Sequence, residues 1–103
     1  AGYAISSLGP AAIAAVHAAV PALELDVHLA VREPARHVVE VAAAGASRIT
    51  FQLESLASTY EALDLVRAII DAGCTVGVCL APSTPISALA PLLEVGEGLI
   101  ELV

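Results

Sequence analysis

The sequence predicts an α/β fold, in which β-strands and α-helices alternate along one small domain. Its 103 residues leave no room for a second domain. Segments with the two-residue alternation of a strand are separated by segments of helical periodicity, and short turns join them. An Ala-Gly step before a strand occurs at Ala44-Gly45 and recurs at Ala72-Gly73, about one βα unit later. The pattern therefore predicts roughly four βα units with parallel strands and right-handed crossovers.

Proline and glycine mark most of the helix ends. A first-turn proline gives up no hydrogen bond, and glycine adopts the left-handed conformation of a C-cap. Pro21 ends the first helix, and Ser58 with Glu61 has the capping-box spacing that begins the third. The predicted helices cover residues 10–19, 34–45, 58–73 and 84–93. The predicted strands cover residues 23–31, 48–54, 75–80 and 99–103.

One face of each central strand carries polar or small side chains, which is unusual for parallel strands covered by helices on both faces. Asp26 and His28 lie opposite Leu25 and Val27, and the next two strands repeat the pattern with Thr50, Gln52, Glu54, Thr75, Gly77 and Cys79. Under helices, such a face would leave polar groups unpaired at a cost of kilocalories per mole each. In a closed βα barrel it points inward, towards the active-site mouth. We therefore expect a (β/α)8 barrel of the TIM type.

The charge balance excludes several classes of function. Four arginines are the only Lys or Arg residues against eleven acidic ones, so the chain lacks the basic surface that binds a nucleic-acid backbone. Residues 1–23 carry no formal charge, but Pro10 and Pro21 interrupt them and no basic residue precedes them, so neither a membrane span nor a signal peptide is predicted. Cys74 and Cys79 fall on opposite faces of a predicted strand, which predicts unpaired thiols and a cytoplasmic location.

His28 is the strongest candidate for chemistry, because it lies near the C-terminal end of its strand, where barrel enzymes place catalytic groups. The alternative is a buried histidine with satisfied hydrogen bonds. Asp26, on the same face, is expected to orient a neighbour or to form an ion pair with one. Glu54, at the end of the next strand, is expected to bind a ligand or to pair with an arginine. His17 and His37 fall on predicted helices, where we expect solvated side chains.

Several short motifs follow one another along the chain: Ser7-Leu8-Gly9-Pro10, Leu25-Asp26-Val27-His28-Leu29, Glu33-Pro34, Ala44-Gly45-Ala46, Ile49-Thr50-Phe51-Gln52-Leu53-Glu54, Gly77-Val78-Cys79-Leu80-Ala81-Pro82-Ser83-Thr84-Pro85 and Leu92-Leu93. In order and spacing they resemble the S-F-G-P, L-D-V-H-L-M, E-P, A-G-A-D, I-T-F-H-x-E, G-V-A-L-N-P-x-T-P and paired-leucine segments of ribulose-phosphate 3-epimerases. The motifs extend over nearly the whole chain, which is therefore identified as a member of that family.

The resemblance implies a ribulose-phosphate-binding (β/α)8 barrel and an isomerase of the pentose phosphate pathway. Members of the family interconvert D-ribulose 5-phosphate and D-xylulose 5-phosphate. Two aspartates move the proton next to the carbonyl, and a divalent metal ion (zinc, iron, manganese or cobalt) stabilises the developing charge. Two histidines and the two aspartates bind that metal. Carried over residue by residue, only His28 matches a metal ligand, one that also lies beside the substrate, and both catalytic aspartates are expected outside this chain.

The chain is expected to hold only about half of a barrel, since a closed one typically needs ~200 residues or more. Residues 1–103 would then form one partial barrel domain, inactive by itself. Its exposed strand edges favour self-association, so a homo-oligomer is compatible with the sequence. The expected partner is a sugar phosphate, with no nucleic acid and no membrane.

Some positions depart from the family pattern. Ala30 replaces a methionine, Gln52 a histidine and Ala81 an asparagine, and Leu102 or its neighbour falls where another active-site methionine is expected. Gln52 can still form hydrogen bonds but carries no charge. These departures are compatible with a divergent member of the family or a paralogue with altered activity.

Two other hypotheses remain open from the sequence. The first is a non-catalytic half-barrel or divergent paralogue that acts only through association. The second is a related barrel of the decarboxylase and hexulose-phosphate synthase group. That group would be expected to show a D-x-K-x-x-D strand, whereas this chain contains no lysine.

Overall fold

The β-sheet is parallel, and the order of its strands follows the chain. The computed structural model describes residues 3–4, 10–29, 34–95 and 100–102. In this part of the chain the strands are β1 (Tyr3–Ala4), β2 (Leu25–His28), β3 (Arg48–Gln52), β4 (Thr75–Cys79) and β5 (Ile100–Leu102), and each pairs with the next. An open doubly wound sheet would reverse its strand order at a switch point. This sheet does not, as expected for consecutive strands of a barrel.

Helices follow the strands in regular alternation. They are α1 (Pro10–Ala19), α2 (Val38–Ala44), α3 (Thr59–Asp71) and α4 (Ala90–Val95). Each helix contacts the next one along the chain, which is typical of helices that cover one face of a sheet. The mixed α/β architecture with a parallel sheet is therefore confirmed, and it fits part of a TIM-type barrel. Within the described residues, no helix has the length and apolar character needed to cross a bilayer.

Aliphatic side chains form the core between the sheet and the helices. Alternate residues of the central strands point into this core and are buried, as the strand pattern predicted: Leu25, Val27, Ile49, Phe51, Val76 and Val78. The helices and the 3-10 turn that precedes α4 add Ile13, Val38, Val41, Ala62, Leu65, Val66, Ile69, Leu89 and Leu92. Phe51 is the sole aromatic side chain that the described residues contribute to this cluster. The core thus consists of the Val, Leu and Ile that dominate the composition.

The predicted segments are found, but several of their boundaries were wrong. β3 ends at Gln52 and not at residue 54, because residues Leu53–Ser55 form a 3-10 turn in which the Ser55 hydroxyl donates to the Gln52 carbonyl at 2.6 Å. Two predicted helices begin with 3-10 turns, at Pro34–His37 and Ile86–Leu89, before α2 and α4. Such turns are frequent at helix starts, and no periodicity distinguishes them. β1 was not predicted, since two residues carry no pattern.

The cap that begins α3 confirms the sequence prediction. Ser58 Oγ accepts a hydrogen bond from the backbone N–H of Glu61 at 3.2 Å. Glu61 Oε2 in turn accepts from the backbone N–H of Ala57 at 2.8 Å, one residue before the position in the usual capping box. The reciprocal bonds satisfy N–H groups that the helix itself leaves without acceptors.

The two cysteines remain free thiols, as predicted from their opposite faces. Cys74 is buried, and its Sγ contacts the Ala46 carbonyl oxygen at 3.2 Å. Cys79 is half-buried at the C-terminal end of β4.

Gly45 ends α2 in a conformation that L-residues rarely adopt, with φ of +125°. Its N–H donates to the Ala42 carbonyl at 3.1 Å and so closes the last turn. The exposed side chain of His17 on α1 packs against the same glycine, and a Cβ at residue 45 would lie 2.7 Å from the His17 Cβ. Rotation of the imidazole cannot relieve a contact with its own Cβ. Gly45 therefore serves both the helix end and the contact between α1 and α2.

We predict that Gly45→Ala lowers the free energy of unfolding more than Gly73→Ala does. Gly73 also has a positive φ, of +87°, but a Cβ there would meet nothing within 4 Å. Backbone strain of about 1–3 kcal/mol is common to both variants, and the overlap with His17 adds about 1–3 kcal/mol at residue 45 alone. Chemical denaturation of the two variants measures the difference. Equal losses would show that His17 does not restrict this position.

Candidate active site

The sheet face opposite the core carries the polar and small residues that the sequence assigned to these strands, except Glu54 in the turn after β3, and it carries Arg48 in addition. They are Asp26 and His28 on β2, Arg48, Thr50 and Gln52 on β3, and Thr75, Gly77 and Cys79 on β4. We call this set the inner face. Backbone pairing brings members of neighbouring strands side by side: Asp26 with Arg48, His28 with Thr50, Thr50 with Gly77, and Gln52 with Cys79. Residues far apart in the sequence thereby form one continuous polar surface.

Asp26 lies at the centre of the hydrogen bonds on the inner face. The residue is only 9% exposed. Its Oδ1 accepts a hydrogen bond from the hydroxyl of the fully buried Thr50 at 2.7 Å. Its Oδ2 accepts from Arg48 Nη2 at 2.6 Å, which is also an ion pair. The predicted pairing of Asp26 with a charged neighbour is therefore observed, and its partner is Arg48.

The environment of Asp26 favours its charged form. Burial by itself raises the pKa of a carboxyl group. Here the hydrogen bonds from Arg48 and Thr50, together with the positive charge of Arg48, outweigh burial and lower the pKa of Asp26 below its ordinary value. The inner face therefore contains a carboxylate with donors on both oxygens.

His28 is the last residue of β2, at the C-terminal edge of the sheet. Its side chain is 32% exposed, and its Nε2 lies 3.5 Å from Asp26 Oδ2. In this part of the chain the ring is therefore half-buried. Strand pairing continues beyond it, since the N–H of Leu29 donates to the Thr50 carbonyl at 2.8 Å. The backbone around His28 is thus fixed while part of its ring remains accessible.

Gly77 makes room for this arrangement in the middle of β4. A Cβ at residue 77 would overlap the side chain of Thr50, its neighbour on β3. Thr50 occupies the space that the glycine leaves and can direct its hydroxyl towards Asp26. The glycine in the Gly77-Val78 motif therefore has a packing function.

The residues present can supply one ligand of a metal site. Among the residues that the structure describes, no group of three or more His, Cys, Asp and Glu side chains converges on a common point. Both oxygens of Asp26 already accept hydrogen bonds, whereas His28 is accessible. A neutral imidazole nitrogen is a common ligand of zinc and iron. The donor set therefore fits the expectation that His28 joins ligands from other strands.

Glu54 links two turns at the C-terminal edge of the sheet. It lies in the 3-10 turn after β3, and its Oε1 accepts a hydrogen bond from the backbone N–H of Ala81 at 3.1 Å. The side chain of Thr84 is the main group that lowers the pKa of Glu54. Sequence analysis expected a ligand or an arginine as its partner. The structure instead pairs the carboxylate with the turn between β4 and α4, which it holds next to β3.

The other residues singled out in the sequence lie away from Asp26 and His28 or outside the described part of the chain. His17 and His37 are exposed, as predicted. Gln52 ends β3 with an exposed side chain, two residues beyond Thr50. Ala30 lies outside the described residues, and Leu102 belongs to β5.

Sequence analysis missed the role of Arg48. It was used only to mark the start of a strand, although strand alternation places it on the same face as Thr50 and Gln52. Extending the two-residue pattern by one step would have placed a positive charge on the inner face. The contact between Arg48 and Asp26 depends on the register between β2 and β3, which a single sequence does not give.

Comparison with known proteins relates this chain to one enzyme family. The family model described as "Ribulose-phosphate 3 epimerase family" matches residues 5–100. The chain belongs to that family. The family identified from the sequence motifs is therefore confirmed, and the ribulose-phosphate 3-epimerase family model covers every inner-face residue named above.

Curated relatives agree with the family assignment. The cytoplasmic isoform of ribulose-phosphate 3-epimerase from Oryza sativa subsp. japonica is 39% identical over 79 residues, which are 77% of this chain and 33% of that protein. The ribulose-phosphate 3-epimerase of Treponema pallidum is 39% identical over 71 residues, 69% of this chain and 31% of its own length. That of Bacillus subtilis is 32% identical over 88 residues, 85% of this chain and 39% of the relative. The matched part of the chain thus spans between 31% and 39% of these three proteins.

We predict that Glu54→Gln weakens the link between the two turns at neutral pH, because a charged acceptor forms the stronger hydrogen bond. A carboxyl whose pKa falls on folding stabilises the folded state above its unfolded pKa. That stabilisation is lost as the pH falls through the lowered folded pKa. The difference in stability between Glu54→Gln and the wild type should therefore shrink below pH 4.5, the ordinary pKa of Glu.

Hydrogen exchange of the Ala81 amide measures this effect. The variant should exchange this amide faster at pH 7, while Glu40→Gln, on the exposed surface of α2, should leave it unchanged. Equal exchange of Ala81 in the wild type and Glu54→Gln would contradict the assignment.

Proposed function

We propose that the protein carrying this chain is a ribulose-phosphate 3-epimerase that interconverts D-ribulose 5-phosphate and D-xylulose 5-phosphate. The observation that carries the proposal is the family match over residues 5–100, within which Asp26 and His28 lie side by side on the polar inner face. Several relatives bear the name of this enzyme. The non-catalytic half-barrel, which was the alternative hypothesis, is not favoured by these comparisons.

The proposed architecture is a (β/α)8 barrel of which this chain forms about half. Support comes from the parallel sheet whose strand order follows the chain, and from a polar face opposite the helix-packed core. In such barrels the catalytic groups lie at the C-terminal ends of the strands. His28 ends β2 and Gln52 ends β3, so both belong to that edge.

His28 is the proposed metal ligand and substrate neighbour. The proposed metal is a divalent ion such as zinc, iron, manganese or cobalt. When bound, it would act as a Lewis acid that stabilises negative charge as a proton leaves the carbon next to the carbonyl. In the proposed assignment, aspartates outside this chain transfer the proton. The residues of this chain are proposed to bind and orient the metal ion and the substrate, and none of them is proposed as the acid or the base.

The proposed ligand is a sugar phosphate, and no nucleic-acid partner is proposed. The net charge of −7 disfavours a nucleic-acid backbone. In a TIM-type barrel the phosphate is frequently bound after the seventh and eighth strands, so this chain would contact the sugar carbons. A cytoplasmic location is proposed from the rice relative, which is named as a cytoplasmic isoform. Self-association stays a prediction.

We predict that His28→Ala removes the bound metal and lowers epimerase activity by at least about 100-fold. The side chain is partly exposed and lies on the sheet face opposite the core, so the fold should persist. Metal content by mass spectrometry and conversion of D-ribulose 5-phosphate measure the two effects. His37→Ala is the matched control, because His37 is an exposed histidine outside the inner face. Metal at wild-type stoichiometry in His28→Ala would contradict the ligand assignment, and a metal-loaded wild type without conversion would contradict the reaction.

A further inference from the structure

The carboxylate of Asp26 accepts two hydrogen bonds, and the ring of His28 lies beside it. Thr50 donates to Oδ1, Arg48 donates to Oδ2, and the Nε2 of His28 faces the same Oδ2 at 3.5 Å. A carboxylate has about four lone-pair positions, so the two hydrogen bonds do not exhaust it. One acceptor position on Oδ2 therefore remains for the imidazole.

The two nitrogens of a histidine ring differ, since the proton is fixed by the hydrogen bond of one and the other is left as a metal ligand. In His28 the nitrogen that faces the carboxylate is Nε2. A proton on Nε2 leaves the lone pair of Nδ1 available. Metal-binding histidines generally donate their second N–H in this way to a carboxylate or a carbonyl.

We propose that Asp26 is a positioning residue for His28: it accepts the Nε2 proton and thereby presents Nδ1 to the metal. Arg48 and Thr50 fix the carboxylate for this task. The inference rests on the proposed function, because it needs His28 to bind a metal.

The strand geometry supports this assignment. Residues two apart on a strand share a face, so Asp26 lies directly behind His28, on the side away from the C-terminal edge. From there it can fix the ring while the edge stays open for other ligands. Asp26 is 9% exposed and Thr50 is fully buried, so solvent offers little competition for these hydrogen bonds.

The test is Asp26→Asn in the whole protein. An amide can turn its oxygen towards Arg48 and His28 and donate its NH2 group to the Thr50 hydroxyl, but this neutral oxygen is a weaker acceptor than a carboxylate oxygen. We expect Zn²⁺ affinity, measured by competition with a chelator, to fall about 10–100-fold. Asp64→Asn is the matched control, because Asp64 is an exposed aspartate on α3. It should bind Zn²⁺ like the wild type.

Thermal unfolding of the metal-free proteins separates positioning from a purely structural role. Loss of the ion pair with Arg48 lowers the melting temperature in either case. If Asp26→Asn is less stable but binds Zn²⁺ with wild-type affinity, the positioning role is wrong while the proposed function stands. If the wild type itself binds no Zn²⁺, Mn²⁺, Co²⁺ or Fe²⁺, the metal-dependent function fails, and this inference fails with it.

A second measurement needs no Asp26 variant. In the Zn²⁺-loaded wild type, the ¹⁵N chemical shifts of the imidazole distinguish the protonated nitrogen from the metal-bound one, and the His28→Ala spectrum identifies the His28 signals. We expect the proton on Nε2 and the metal on Nδ1. Metal on Nε2 would overturn the inference, even if Asp26→Asn fails to fold.

Discussion

The polar surface of the sheet depends on one buried carboxylate. Asp26 lies among strands whose other faces build an aliphatic core, and burial of an unpaired charge would be strongly unfavourable. Arg48 and Thr50 from the neighbouring strand resolve this by donating to both oxygens. The pair is partly buried, with side-chain exposures of 29% for Arg48 and 12% for Asp26, so removing Arg48 would leave a largely buried carboxylate without its counter-charge. Asp26 and Arg48 therefore depend on each other, and the register between β2 and β3 brings them together.

The same strands also show how much the sequence alone predicted. Two-residue alternation separated the core face from the inner face correctly, because an apolar side chain such as Val27 must be buried in any arrangement of these strands. Ser58 with Glu61 and Gly45 located helix ends, since the chemistry of a cap is local. The contacts of Asp26 and Glu54 were only partly predicted. Their partners lie on neighbouring strands or turns, at a distance in sequence that no local pattern describes.

The structure also explains two motifs by packing. Gly77 allows Thr50 to approach the inner face, and Glu54 connects the turn after β3 to the turn after β4. Gln52 ends β3 with an exposed side chain and takes no part in the hydrogen bonds that Asp26 accepts. The contacts that shape this face therefore come from Asp26, Arg48, Thr50 and Gly77.

We propose that a divalent metal ion binds at the C-terminal edge of β2, with His28 as one of its ligands. Anomalous diffraction from crystals of the whole protein loaded with Zn²⁺ tests this proposal. We expect an anomalous peak at a Zn–N distance of about 2.0–2.1 Å from His28. A fully occupied peak at a site that does not include His28 would contradict the proposal.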